Sequence, residues 1–258
     1  MRQFAHDLSP LPLWRSDIGW RARIGIIYIG NGWIPIDAFN KIAPKGVAMG
    51  GLGVPRHKNQ SAEEMLKLDD MVPELVKQFV SYSPDVILWN DTAASFMRGK
   101  EYDVEFIKMM EESTGGIKCT TTSTSLCQAF TTMKVSTLAM VTPYAKEVNE
   151  KEIKYFGEQG FNIVNCVGLD LMDPYILANV SSSVLYKLAR MADVPEADGM
   201  FISCTGIDSL DIIEPLEQDL GKPVFTSNQS AFWNALRLAK IGAPIEGYGS
   251  LLSLLPRV

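Results

Sequence analysis

Short apolar runs alternate with amphipathic stretches from about residue 23 to the C-terminus, and this alternation constrains the fold more than any other feature. Arg23 to Ile29 (RIGIIYI) reads as a buried strand, and Gly46 to Val54 as a second, glycine-rich one. Ser61 then caps a helix whose Met65, Leu68, Val72, Leu75, Val76 and Phe79 recur at helical spacing and bury one face. Beyond Pro84 come a strand at Val86 to Trp89, a helix from Tyr102 to Ser113 stopped by Gly115 and Gly116, and a short strand at Ile117 to Cys119. The pattern restarts with strands at Thr137 to Val141, Phe161 to Val167, Met200 to Ser203 and Pro223 to Phe225. Between and after them lie helices at Lys146 to Glu158, Ser181 to Ala192 and Ile212 to Leu220. Asn228 is expected to cap a last helix through Ala239, with Phe232, Leu236 and Ala239 facing inward. Segments 31–39 and 168–176 read as loops that wall a pocket. Such alternation implies parallel sheets covered by helices, with ligands bound beyond the carboxyl ends of the strands.

One internal match sharpens this expectation. Asp85-Val-Ile-Leu-Trp-Asn-Asp91-Thr92 can be laid on Asp198-Gly-Met-Phe-Ile-Ser-Cys204-Thr205, an offset of 113 residues. Each segment runs from an Asp through an apolar strand to a polar corner and a Thr. Two buried strands can match by chance; the other reading is two related α/β halves, with Asp91 and Cys204 at equivalent positions across a cleft.

Composition narrows the functional classes. The 258 residues carry a formal net charge of -6, which argues against nucleic acid as a partner because phosphate binding needs a basic footprint. No apolar run reaches the roughly 18 residues of a membrane span, and the N-terminal stretch lacks a signal-peptide core, so a cytoplasmic protein is expected. The spacings of Cys119, Cys127, Cys166 and Cys204 match no zinc or CxxC pattern. The only histidines, His6 and His57, sit in polar or irregular contexts, so neither a Ser-His-Asp triad nor a multi-histidine metal site is expected. Gly25, Gly30 and Gly32 do not form the GxGxxG spacing of a dinucleotide loop.

The chemistry-bearing candidates lie at strand ends. Cys204 follows Met-Phe-Ile-Ser and precedes Thr205-Gly206, where free backbone amides and a following helix N-terminus would make the thiol more acidic. The run from Asn90 to Ser95 suits carboxylate recognition, and equally an ordinary helix cap. Thr120 to Ser125 offers hydroxyls to a cleft or forms a capped turn. Tyr144, in Thr142-Pro143-Tyr144, points a phenol into the cleft or packs.

Together the segments at 91–99 (DTAASFMRG), 113–124 (STGGIKCTTTST), 141–150 (VTPYAKEVNE), 203–239 and 248–252 (YGSLL) resemble the aspartate/glutamate racemase superfamily, and within it the arylmalonate decarboxylases and maleate cis-trans isomerases. The resemblance implies two pseudo-symmetric α/β halves, each with a parallel sheet flanked by helices, and an active site in the cleft between them. It divides the chain into an N-terminal extension (1–22), a first half (23–120 with 227–258) and a second half (121–226). It implies catalysis without metal or organic cofactor, on a small carboxylic acid, with neither nucleic acid nor membrane as partner; a homo-oligomer is compatible with it.

Racemases and maleate isomerases of this superfamily place a cysteine on each half, whereas decarboxylases keep only the second. Cys204 stands at the second position and Asp91 at the first; an alternative register puts Asn90 there. The pattern therefore looks like the one-cysteine branch, which decarboxylates a 2-substituted malonate through an enediolate protonated by Cys204. The substrate carboxylate would sit among the amides near Thr92, Ala93, Thr205 and Gly206, helped by the hydroxyls of Thr92 and Tyr144. Three departures favour other readings. Decarboxylases carry Gly where Asp91 stands and Ser where Ala93 stands, and Thr205 replaces a Gly, as in maleate isomerases. Asn31 lies near the first-loop asparagine of those isomerases. An isomerase or racemase using Asp91 and Cys204, and a non-catalytic carboxylate-binding protein, are the alternatives.

Overall fold

The computed structural model describes residues 17–56 and 61–256; His6, His57 and most of the N-terminal extension lie outside them. The elements are β1 (Ala22–Ile29), α1 (Trp33–Ile42), β2 (Val47–Val54), α2 (Ala62–Met65), α3 (Val72–Phe79), β3 (Val86–Asn90), α4 (Thr92–Met97), α5 (Lys100–Ser113), β4 (Lys118–Thr121) and α6 (Thr122–Met133). They continue with β5 (Thr137–Thr142), α7 (Lys146–Glu158), β6 (Asn162–Gly168), α8 (Pro174–Ala178), α9 (Ser182–Ala192), β7 (Gly199–Ile202), α10 (Ile213–Leu220), β8 (Val224–Thr226), α11 (Ser227–Leu238) and α12 (Ser250–Ser253). The strands form two all-parallel four-stranded sheets, ordered β2-β1-β3-β4 and β6-β5-β7-β8. This is the α/β architecture that the alternation implies, and the two sheets share one strand order.

The repeated Asp explains the common register. Asp85 accepts the Arg23 amide at 2.8 Å and donates its own amide to the Arg23 carbonyl. Asp198 does the same to Thr137, also at 2.8 Å. Each carboxylate thus satisfies an amide at the start of the neighbouring strand, where the parallel ladder begins. β3 and β7, the strands that follow these Asp residues, are buried along their whole length, as strands covered on both faces should be.

The helices after the last strand of each sheet cross over. Phe130 of α6 packs among Phe156, Phe161, Phe201 and Phe225 of the second sheet's core, at centroid distances of 4.9 to 5.7 Å. Phe232 of α11 stacks on Phe39 of α1 at 4.9 Å. α6 and α11 also pack on each other. This exchange buries each helix against two partners, and residues 227–236 of α11 are all buried.

Several local expectations are corrected. The helix expected from Ser61 is three pieces: α2, a 3-10 turn at Leu68–Met71, and α3. Pro73 sits in the first turn of α3, where its missing N–H is tolerated, but it cannot continue a helix from upstream. The six apolar residues nevertheless all face the core. Segment 31–39 is mostly helix α1, because Pro35 also falls in a first turn. Part of 168–176 belongs to α8. α6 had no strong apolar period to announce it. α11 is capped by Thr226, whose hydroxyl accepts the Gln229 amide at 3.2 Å, and not by Asn228; Ala239, its C-cap, is only half-buried.

Candidate active site

β3 and β7 end side by side at one rim of the molecule, and a cavity of about 500 Å³ opens there. Its lining includes Asn31, Asp91, Ala93, Tyr144, Cys204, Thr205 and Gly206, seven of the eight residues expected at the site. Apolar walls come from Trp33 and Ile34 of α1, Met65, Leu68, and Pro174 and Leu177 of α8.

Cys204 is buried, and its backbone has φ of 101°. This left-handed conformation costs a non-glycine residue about 1–3 kcal/mol, so the surrounding corner must hold it in place. The Cys204 amide donates to Ser227 Oγ at 3.0 Å, and the Gly206 amide donates to Cys204 Sγ at 3.2 Å. The Tyr144 phenol lines the cavity with the sulfur and favours its ionised form. Burial pushes the thiol up to about 12, against the pull of the Gly206 amide and Tyr144; nearby Asp91 raises it and Arg56 lowers it. The sequence expectation of an acidified thiol is therefore reversed. No regular helix starts at the corner, since a 3-10 turn comes only at Leu210 and α10 at Ile213. Desolvation dominates the amide contacts.

Asp91 caps α4, accepting the Ala94 amide at 2.7 Å. Enclosure raises its carboxyl to about 6, while the Ala94 amide, Arg56 and the Ala93 amide oppose the rise. It remains mostly ionised at neutral pH. Ala93 lines the cavity beside it. Thr92 does not: it is fully buried, and its hydroxyl donates to Ser227 Oγ at 2.9 Å. The hydroxyl expected to touch substrate is thus one layer behind the cavity. Asn90 lines the cavity together with Asp91 and donates its side-chain amide to Asn228 Oδ1 at 3.1 Å; of the two, Asp91 is the one whose charge acts on the thiol. Asn31 Oδ1 accepts the Trp33 amide at 3.2 Å at the start of α1. Thr121 caps α6, and no residue of the Thr120 to Ser125 cluster lines the cavity.

Three residues that shape the site escaped the sequence reading. Ser227 Oγ takes both the Thr92 hydroxyl and the Cys204 amide. Asn228 accepts from Asn90 and donates to the Thr205 carbonyl at 3.1 Å. The first turn of α11 therefore ties the two corners together. Arg56, just past β2, lies against the Gly30 and Gly206 turns and interacts with both Asp91 and Cys204. Of the ionisable side chains on the lining, Arg56 is the cation and Asp91 and Glu64 are the carboxylates. A strand-end motif marks a corner, but Ser227 and Arg56 sit on other elements and carried no local signal.

The family model for arylmalonate decarboxylase matches residues 24–252. Arylmalonate decarboxylase of Bordetella bronchiseptica is 34% identical over 163 residues, covering 62% of this chain and 68% of that protein. Maleate isomerase of Nocardia farcinica is 25% identical over 197 residues, covering 74% and 78%. Among solved structures, unliganded arylmalonate decarboxylase superposes with a TM-score of 0.78 at 28% identity, over 90% of this chain and 98% of that one. Maleate isomerase Iso from Pseudomonas putida S16 shares the fold, with a TM-score of 0.84 at 19% identity, over 91% and 99%.

Proposed function

The chain belongs to the arylmalonate decarboxylase family, and we propose that it is a cofactor-independent decarboxylase of 2-substituted malonate-type acids. It is an enzyme of the aspartate/glutamate racemase superfamily, a lyase or an isomerase. One observation favours the lyase: the cavity holds a single thiol, Cys204, and burial keeps it a neutral S–H. A neutral thiol is a proton donor, whereas racemisation by paired cysteines needs one of them as thiolate.

In this reading the retained carboxylate sits against the amides near Ala93, Thr205 and Gly206, with the Tyr144 phenol alongside. The other carboxylate lies toward the apolar walls. Breaking its bond to the α-carbon releases CO2 and leaves the electron pair delocalised into the retained carboxylate as an enediolate. Amide donors stabilise that charge as an oxyanion hole does. Cys204 then delivers its proton to one face of the carbon, and solvent reprotonates the sulfur. Arg56 offsets the repulsion between Asp91 and a dianionic substrate. Thr92 acts through Ser227, and Asn31 through the start of α1. The halves that form the cleft are read as 23–120 with 227–258, and 121–226.

The test is CO2 release from phenylmalonate and methylmalonate, with chiral analysis of the product. A single enantiomer is expected; folded protein that releases no CO2 from any malonate rules the reading out. The second reading is an isomerase or racemase with Asp91 as base and Cys204 as acid. Its support is the largely ionised carboxyl facing the thiol. It requires solvent deuterium to enter the α-carbon of a carboxylic acid, or turnover of maleate, and requires Asp91→Asn to abolish either.

A further inference from the structure

Directly behind Cys204 lies a carboxyl that the proposed chemistry leaves without a task. Glu152 is on α7 and is fully buried. Its Oε1 accepts the Ser203 hydroxyl at 2.5 Å, and Ser203 immediately precedes Cys204. Its Oε2, also buried, has no hydrogen-bond partner among the described residues. One turn earlier on α7, Asn149 holds the Tyr144 loop: its Nδ2 donates to the Tyr144 carbonyl at 3.1 Å and its Oδ1 accepts the Thr142 hydroxyl. One helix face therefore supports both groups that meet at the sulfur.

A buried carboxyl with an unpartnered oxygen costs stability, and a leucine or methionine would fill the space more cheaply. The groups around it offer no compensation. Tyr144, from the β5–α7 link, and Cys166, on β6, are the ionisable side chains that feel its charge. β7 contributes Ser203, and α4, packed across α7, presents no ionisable side chain.

We propose that Glu152 is a positioning residue of the thiol corner: through Ser203 it fixes the strand end that carries Cys204, and its charge, felt by Tyr144, reaches the thiol through that phenol. Desolvation pushes its carboxyl up to about 8, with the Ser203 hydroxyl pulling the other way. At neutral pH it is an uncharged acid, and the region behind the thiol is neutral. Above that point it ionises next to Tyr144 and opposes formation of a thiolate. The assignment rests on Cys204 being the reacting thiol, as in the proposed function.

The test is the pH dependence of Cys204 alkylation by iodoacetamide, followed by peptide mass spectrometry on the full chain. It needs no turnover, so it remains readable if decarboxylation is absent. Glu152→Gln keeps an acceptor for Ser203 and removes the titration. At pH 9 the variant should alkylate Cys204 about threefold faster than the parent, the equivalent of half a pKa unit. Cys166, whose thiol feels Glu152, should accelerate as well, whereas Cys127 on α6, away from the Ser203–Glu152 bond, should keep its parental rate. Ser203→Ala provides a second route: losing the hydrogen bond that favours the ionised form should move the break in the Cys204 profile to higher pH. Superimposable Cys204 profiles in parent and Glu152→Gln overturn the proposal, as does an equal acceleration at Cys127, which marks general loosening.

Discussion

The corners after β3 and β7 begin as copies and end as opposites. Each follows an Asp that clamps a neighbouring strand, Asp85 on Arg23 and Asp198 on Thr137, and each leads to the same cavity. After β3 the chain turns straight into α4, Asp91 has ordinary extended φ of -137°, and its carboxylate occupies the Ala94 amide. After β7 no helix forms at once, Cys204 is forced to positive φ, and the Gly206 amide turns back on the sulfur. One corner satisfies its amides with its own side chain. The other gives the Cys204 amide to Ser227 and the Gly206 amide to a thiol that lines the cavity from a strained backbone. Equivalent backbone positions thus acquired different chemistry because local capping differs, and Ser227 bonds to both.

The sharpest way to break this contrast is Cys204→Ser. If the thiol is the proton donor, turnover should fall by about 10³-fold or more, as loss of a positioned acid does, with ligand binding retained. Loss of activity in step with loss of binding would make the two corners alike.

Titration separates the corners next. Asp91 and Glu152 both have folded-state values, about 6 and about 8, above the ordinary values of 3.8 and 4.5 for these carboxyls. The folded protein therefore binds more protons than the unfolded chain across these windows, and stability falls as pH rises from about 4 to about 8. Asp69 and Asp103, raised by burial to about 7 and about 6, add to the same slope. Denaturation between pH 5 and 8 should show it. Asp91→Asn should flatten the acid part and Glu152→Gln the part nearer neutrality.

Removing the shared latch tests whether the corners are coupled. Ser227→Ala leaves the buried Cys204 amide and Thr92 hydroxyl without their partner, at a cost of about 1–3 kcal/mol in chemical denaturation. Arg56→Met should raise KM for a dianionic malonate about tenfold, near 1.4 kcal/mol, and leave a mono-ester much less affected; equal effects on both remove Arg56 from charge compensation. The smallest effect concerns strain. Cys204→Gly should be more stable than Cys204→Ala by about 1 kcal/mol, because only glycine takes positive φ without penalty.

Much of this was legible in the chain itself. The strands, most helices and the repeat of Asp85 to Thr92 on Asp198 to Thr205 follow from residue pattern, and both corners of that repeat line one cavity. The misses have physical causes. α1 was hidden because Pro35 reads as a breaker unless it falls in a first turn. α6 was hidden because it opens with Thr122, Ser123, Thr124 and Ser125, residues that suit turns as well as helices. Thr92 was expected at the substrate, but its hydroxyl direction is fixed by Ser227, which lies 135 residues away.

Sequence alone determined the two parallel sheets and the strand-end corners that open on the cavity, because hydrophobic period and corner motifs are local properties. Only the tertiary structure decided the acidity of Cys204, the layer behind it formed by Ser203, Glu152 and Ser227, and the arrival of Arg56 at the rim. Those depend on desolvation and on contacts between distant segments, and neither is written in the spacing of neighbouring residues.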